Sequence, residues 1–406
     1  MTYGRPAKPK FFTDNINAMR LHGRAKSSIV TARTGTYNTG YDIYDLFDLQ
    51  PLNVTSFDTS ANTTTHILIG IDLGTSAYDT NYFALLNHNL FTVEGTIRIA
   101  HDTSAITAAG GGTTVAALSV ILNGATNPDT GETIDEAITT GETDWSVSNG
   151  SKFTVGELLY CYNTGLDLSE VVKVTNIASN VLTVTRAQQG TTAIVFGIGQ
   201  NRIHRYNCVT PAADYDTMFS FTSSSDRYWA IEIIPNDGVF SGTDLTMGAA
   251  LLGEAYTMPF APALEVRHGF NMGGVSVSGT MRGKRFSSSK WIKSNITTLD
   301  AGNYIPFRTD VGAQQIPGRE TYSMSYPYVT DTDLLPSDIG APSGNNFAVN
   351  VFAKTGWNTL PFIFLIDSAS TTQGDFMFAR LAGDSYSVTQ QAYQVYSLQF
   401  AVEQEF

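Results

Sequence analysis

The chain has 406 residues, of which 42% are hydrophobic and only 15% charged, against roughly 25% charged in an average globular protein. Thr, Ser, Asn and 36 Gly make up the difference, a polar but uncharged composition suited to strands and turns. The 37 acidic and 24 basic residues leave a net charge of −13, which repels phosphate backbones and argues against sequence-independent nucleic-acid binding. Cys161 and Cys208 form no CxxC pair, which excludes a structural zinc site and permits one disulfide without requiring it. No apolar run reaches the ~18 residues of a membrane span, and the polar start lacks a signal-peptide core. The expectation is a soluble, non-exported, mainly β protein of two or three domains.

Residues 1–35 form a basic N-terminal arm. Arg5, Lys8, Lys10, Arg20, Arg24, Lys26 and Arg33 face the single acid Asp14, a net charge of +6 up to residue 34. Pro6 and Pro9 keep its start extended. A short helix is predicted from an Asp14 or Asn15 cap through Ile16, Met19 and Arg20 to Gly23. The arm is either a mobile terminus or a segment that docks on an acidic neighbouring subunit.

Strand signals follow. Ile67, Ile69, Ile71 and Leu73 alternate with smaller or polar residues. Thr96-Ile97-Arg98-Ile99 keeps the period, and so does Arg227–Ile233, with Trp229, Ile231 and Ile233 on one face. Strands this far apart in sequence predict a β-sandwich over 36–245. Two insertions interrupt it. Residues 103–150 are acidic and rich in Gly and Thr; from 99 to 151 seven acids meet no Lys or Arg, and the run 108–114 is too simple to pack much core. Residues 151–203 read as a small β-module, in which Phe153, Val155 and Leu158 precede a hairpin. There Val172 and Val174 answer Leu182 and Val184 across Ser179-Asn180. Residues 246–406 form a second antiparallel β domain, with alternation at Val275–Ser278, Tyr322–Tyr326 and, most clearly, Tyr396–Glu403.

Few motifs suggest chemistry. Ile69-Gly70-Ile71-Asp72-Leu73-Gly74-Thr75-Ser76 resembles the first phosphate loop of the actin and sugar-kinase superfamily. The second phosphate hairpin, the adenosine loop and the crossover helices of that fold are missing, so a strand ending in a turn is expected. Gly110–Gly112 lacks the Lys-Ser/Thr of a P-loop and is predicted as a flexible turn. His22, His66, His88, His101, His204 and His268 are scattered without metal-binding spacing. Of these, His88 could polarise a substrate, but it reads better as a buried, hydrogen-bonded histidine. GxSxG is absent, and no carboxylate pair is assignable. The sequence therefore predicts no enzyme: no catalytic residues, no cofactor and no metal. Arg282, Lys284, Arg285, Lys290 and Lys293 surround Phe286 and Trp291 in a pattern compatible with nucleic acid, though a solvated loop or subunit contact fits the net charge better. Opposite the acidic stretch, this cluster and the arm suggest head-to-tail mating in a closed ring.

Several stretches together carry a resemblance. Thr64–Gly74, Asn81–Leu90 and Arg227–Ile233 resemble a discoidin-like (galactose-binding-like) jelly roll, whose Arg-Tyr-Trp strand packs opposite the Asp-Leu-Gly strand. Phe153-Thr154-Val155-Gly156 with Leu182–Ala193 resembles a small β-domain of tailed-phage tail proteins, in which Gly usually stands where Ala187 does and a His usually follows. Leu360–Phe364 and Tyr396–Phe406 look like the C-terminal sheet domain of phage tail proteins. The whole is similar to tail-tip or minor tail proteins of marine tailed bacteriophages. The resemblance implies a structural virion protein, made in the host cytoplasm. It would form part of a tail-tip or baseplate homo-oligomeric ring, hexameric or trimeric, bound to other tail proteins. The alternative it implies is a carbohydrate-binding adhesin at the tail periphery, with host surface glycan as partner. Fold analogy carries over no site residue.

Overall fold

A computed structural model describes residues 8–59, 66–74, 78–199, 201–264, 266–271, 275–279, 285–289, 306–307, 319–335 and 345–405, with backbone alone at 270–271, 275–279, 285–289 and 384–386. The described protein is mainly β, with several antiparallel sheets. It forms two compact units, one of Met1–Leu21 with Glu254–Phe406 and one of His22–Gly253.

The His22–Gly253 unit has a β-sandwich-like framework. One sheet runs in the order Val30–Thr34, Ile67–Asp72, Tyr228–Pro235, Gly95–Asp102, Cys208–Pro211 and Gly124–Thr126, with Thr113–Thr114 on Gly95–Asp102. The other aligns Leu245–Gly253 with Thr80–His88, Tyr215–Ser224 and Ser119–Leu122. Alternation decides which residues lie between the sheets. Trp229, Ile231 and Ile233 are fully buried, and Phe221 of the second sheet lies 5.9 Å from the Trp229 ring. The Arg-Tyr-Trp strand is not opposite the Asp-Leu-Gly strand: Tyr228–Ile233 is hydrogen-bonded beside Ile67–Asp72 in one sheet, Trp229 opposing Ile71.

The other face of that sheet carries Arg98 and Glu232, which sit in register and are both about 1% exposed. The Gly-rich run covers them. It is no flexible, core-poor turn: Gly110 donates its N–H to both Glu232 oxygens (3.1 and 3.2 Å), and Gly111 accepts from Arg98 Nη2 at 3.0 Å. Only glycine fits at 110, where φ is +64° and a Cβ would come within 1.6 Å of the Gly156 carbonyl oxygen.

The small module is a five-stranded sheet in the order Asp144–Ser146, Val181–Gln188, Leu168–Ala178, Leu158–Asn163 and Asn201–Arg205. Its hairpin turns at Ser179 as predicted and Val174 pairs with Val184, but bulges shift the register so that Leu182 opposes Ile177 and Val172 opposes Leu159 on the next strand. The acidic stretch contributes to its core: Ile134, Ile138, Trp145 and Val147 are buried with Leu159, Val172 and Leu182. Its apolar residues point inward beside acids such as Asp144 on the same strand as Trp145, so composition averaged over the stretch concealed the alternation.

In the other unit a sheet runs in the order Arg267–Asn271, Arg319–Thr330, Val395–Gln404, Phe376–Ala392, Phe362–Leu365 and Lys10–Asp14. Part of the expected arm is thus a core strand, with Phe11 and Phe12 fully buried and paired with Phe364 and Ile363. The predicted helix spans Asn15–Leu21. Asp14 caps it, its carboxylate accepting the amides of Ile16 and Asn17 at 3.3 and 2.8 Å. Phe347, Val351, Phe352 and Phe400 complete this core.

Because the Arg98–Glu232 pair is sealed from water, removing one partner strands the other. Glu232→Ala is expected to lose roughly 3–5 kcal/mol in urea unfolding. Arg98→Met combined with Glu232→Met should cost less than the two single changes summed.

Candidate functional site

Most of the charged residues with chemical potential are engaged in structural bonds. Glu232 accepts Arg98 Nη1 at 2.7 Å, and His66 Nδ1 lies 2.8 Å from its other oxygen. Burial pushes this carboxyl up, but the His66 contact and the Arg98 charge outweigh it and hold it down at about 2. Arg205 pairs with buried Glu157 and donates to the carbonyls of Lys152, Pro235 and Asn236, tying the module to the end of a sandwich strand. Burial lowers the Arg205 guanidinium to about 10. Arg186 forks onto Glu170 at 2.8 and 2.6 Å and lies over the Trp145 ring at 4.9 Å. The next residue, Ala187, has φ +56°. A left-handed backbone at this position is one that glycine adopts more readily than alanine.

Asp72, the residue that would orient magnesium-bound water in a phosphate loop, is saturated. Its Oδ1 accepts Arg227 Nε and the Gly74 amide, its Oδ2 accepts Arg227 Nη2, and Arg24 Nη2 lies 3.7 Å away. The strand ends at Asp72, and Thr75 and Ser76, where a turn is expected, lie outside the described residues. His88 is buried. The Leu90 amide donates to its Nδ1, which puts the proton on Nε2, facing Thr217 Oγ1 at 3.0 Å. Thr217 in turn donates to the Asn123 carbonyl. This relay is fully used inside the protein.

Sequence reasoning did not bring together His101, Asp226 and Ser224. Asp226 Oδ2 lies 2.5 Å and Ser224 Oγ 3.3 Å from His101, both on Nδ1. Nucleophilic catalysis needs hydroxyl and carboxylate on opposite ring nitrogens, so this is a turn-stabilising cluster. Cys161 and Cys208 are buried free thiols, not a disulfide; burial pushes both up, Cys208 to about 12. Of the basic cluster, Arg282, Lys284, Lys290, Trp291 and Lys293 lie outside the described residues, as do Arg5 and Pro6; Arg285 and Phe286 belong to the strand Arg285–Ser289, paired with Val275–Gly279.

A surface feature of a different kind sits at one end of the module. Asn163 pairs with Leu168 and Asn201 in the sheet, its Oδ1 accepts the amides of Gly165 and Leu166, and its Nδ2 donates to the Val195 carbonyl at 2.7 Å. Asn201 Nδ2 donates to the Gly197 carbonyl. These bonds hold the segments carrying Leu166, Leu168, Val195 and Ile198 at one end of the module, where the four side chains are 52, 48, 45 and 68% exposed. Large exposed aliphatics brought to one end of a domain are candidates for a contact surface. The sequence signal was faint: a Leu on either side of Asp167 in a polar turn.

No protein-family model, curated protein or solved structure matches this chain.

The buried imidazole gives the fold a pH dependence. Burial depresses His88 from 6.5 to about 3, so above 6.5 both folded and unfolded chains hold it neutral and its contribution is fully present. As pH falls below 6.5 the unfolded chain takes up a proton that the folded one refuses, and stability is lost progressively down to about 3. Between 6.5 and 4.5, above the range where Glu232 adds its own loss, His88→Gln should flatten the fall in urea midpoint. The largest expected difference in slope is about 1.4 kcal/mol per pH unit.

Proposed function

We propose that the chain is a non-enzymatic structural protein of a tailed-bacteriophage virion. In this reading it is a tail-tip or baseplate component that assembles with copies of itself and with neighbouring tail proteins. The sandwich-like unit is read as a discoidin-like jelly roll carrying the inserted module, and the other unit as a tail-protein-like sheet domain. The observation that carries the reading is the aliphatic tip of Leu166, Leu168, Val195 and Ile198. An assembling part needs such a surface, and a rigid sheet beneath it lets the contact form without reordering the chain.

Two further features support it. Arg205, held by Glu157 within the module, donates to the Pro235 and Asn236 carbonyls of the sandwich, so a load on the tip is transmitted through it. The edge strand Val30–Thr34 exposes four of its five residues and offers backbone for sheet extension by a neighbouring subunit. The exposed acids Asp129, Asp135 and Asp144 stand ready to meet basic side chains of another copy.

The test is the oligomeric state. Light scattering of the full chain at low and moderate salt should report a discrete oligomer, and Leu166→Ser with Ile198→Ser should dissociate it. The melting of the variant protomer should shift little, since both residues are exposed. A wild-type monomer at both salt concentrations, or an oligomer indifferent to the double substitution, would contradict the reading.

A further inference from the structure

Within the unit of Glu254–Phe406, the strands Phe376–Ala392 and Val395–Gln404 and the loop at 356–359 enclose a groove of about 220 Å³. Two pairs of opposite charge line it. Arg380 forks onto Glu405 through Nε and Nη2, and Arg319 lies 4.0 Å from Glu403. Arg380 also donates Nη1 to the carbonyls of Asn358 and Thr359 at 2.9 Å each. Its guanidinium is fixed at every nitrogen, and it locks the loop to the sheet. All four groups remain partly solvent-exposed, from 22% for Glu405 to 52% for Arg319. Arg380 and Glu405 are therefore both held in place and accessible to a ligand, and Arg319 and Glu403 are accessible beside them.

An apolar shelf adjoins the groove. It is formed by Phe352, Trp357 and Phe400 and shares Asn358, Leu381, Ala382 and Gly383 with the polar half. Trp357 is 41% exposed, and its backbone has φ +67°. A bulky side chain rarely takes a left-handed backbone, and one held there with its ring in water carries a double cost. The surroundings enforce it. The Trp357 amide donates to the Phe352 carbonyl, Thr355 Oγ1 donates to the Trp357 carbonyl at 2.8 Å, and the Phe352 ring lies 4.5 Å from the indole. Strain of this kind concentrates at ligand clamps.

We infer that this groove is a binding site for a neutral saccharide, with Trp357 as the stacking platform and the Arg380–Glu405 and Arg319–Glu403 pairs as the hydroxyl-binding wall. An indole face accepts the C–H face of a pyranose, while carboxylate oxygens accept, and the Arg319 guanidinium and the one remaining Nη2–H of Arg380 donate, hydrogen bonds to neighbouring hydroxyls. Among the described residues the wall carries two positive and two negative groups, so an anionic sugar meets as much repulsion as attraction there. The groove is smaller than the roughly 300–1,000 Å³ of drug-sized pockets, which suits one sugar ring at a time. The site lies outside the sandwich and does not depend on the assembly reading.

Saturation-transfer NMR on the full chain tests it, with methyl glucoside, methyl galactoside, methyl mannoside and N-acetylglucosamine as neutral probes and glucuronate and N-acetylneuraminic acid as anionic ones. At least one neutral probe should receive transfer and the anionic probes should not. Trp357→Ala should weaken binding about ten-fold or more, Trp357→Phe should restore part of it, and Glu405→Gln should weaken it with the platform intact. Leu166→Ser with Ile198→Ser should leave it unchanged, which separates this site from the assembly surface. Silence with all neutral probes, preference for the anionic ones, or binding indifferent to Trp357→Ala would overturn the assignment.

Discussion

One buried carboxylate, Glu232, organises the sandwich-like unit. A lone charge sealed from water would be strongly destabilising, and here it is met by Arg98 on the neighbouring strand, by His66 at the start of another, and by the Gly110 amide. The same contacts that neutralise it fix the Gly-rich run against the sheet. That placement then permits the close approach of Gly110 to Gly156 in the module. Sheet, covering loop and module are thus coupled through one ionic contact, and next to Gly156 a second buried pair, Arg205–Glu157, holds the guanidinium that bonds the sandwich carbonyls of Pro235 and Asn236.

Strands were the legible part of the sequence. Period-two alternation at 67–72, 228–235 and 395–404 survives in the structure because each strand has one strictly apolar face. The ionic centre also left a trace: Arg98 and Glu232 each interrupt an apolar alternation with a charge, and the signs are opposite. What alternation could not supply was register, which sets these two residues side by side. Glycine carries no periodicity, so the run 110–112 looked like slack chain. Its ordering partner is distant in sequence, 122 residues away for Gly110 and Glu232. Likewise the strand Lys10–Asp14 was hidden in a basic, Pro-containing stretch, although its adjacent Phe11 and Phe12 signalled burial.

The candidate residues divide by the same logic. Asp72, His88 and the His101 cluster have functional side chains, yet their hydrogen-bonding capacity is directed inward. The features turned outward are of another type: an aliphatic tip, an edge strand, and a groove with a fixed wall beside an exposed indole. Contact surfaces depend on which residues the loops bring together, so single-sequence motifs reveal them poorly, while strand faces are written locally.

We propose that the outward-facing apolar and edge surfaces serve association with other copies or neighbouring proteins. Negative-stain electron microscopy of the purified full-length chain tests that claim most directly. Closed annular particles of uniform diameter are the expected result, whereas a field of isolated protomers at micromolar concentration would contradict it.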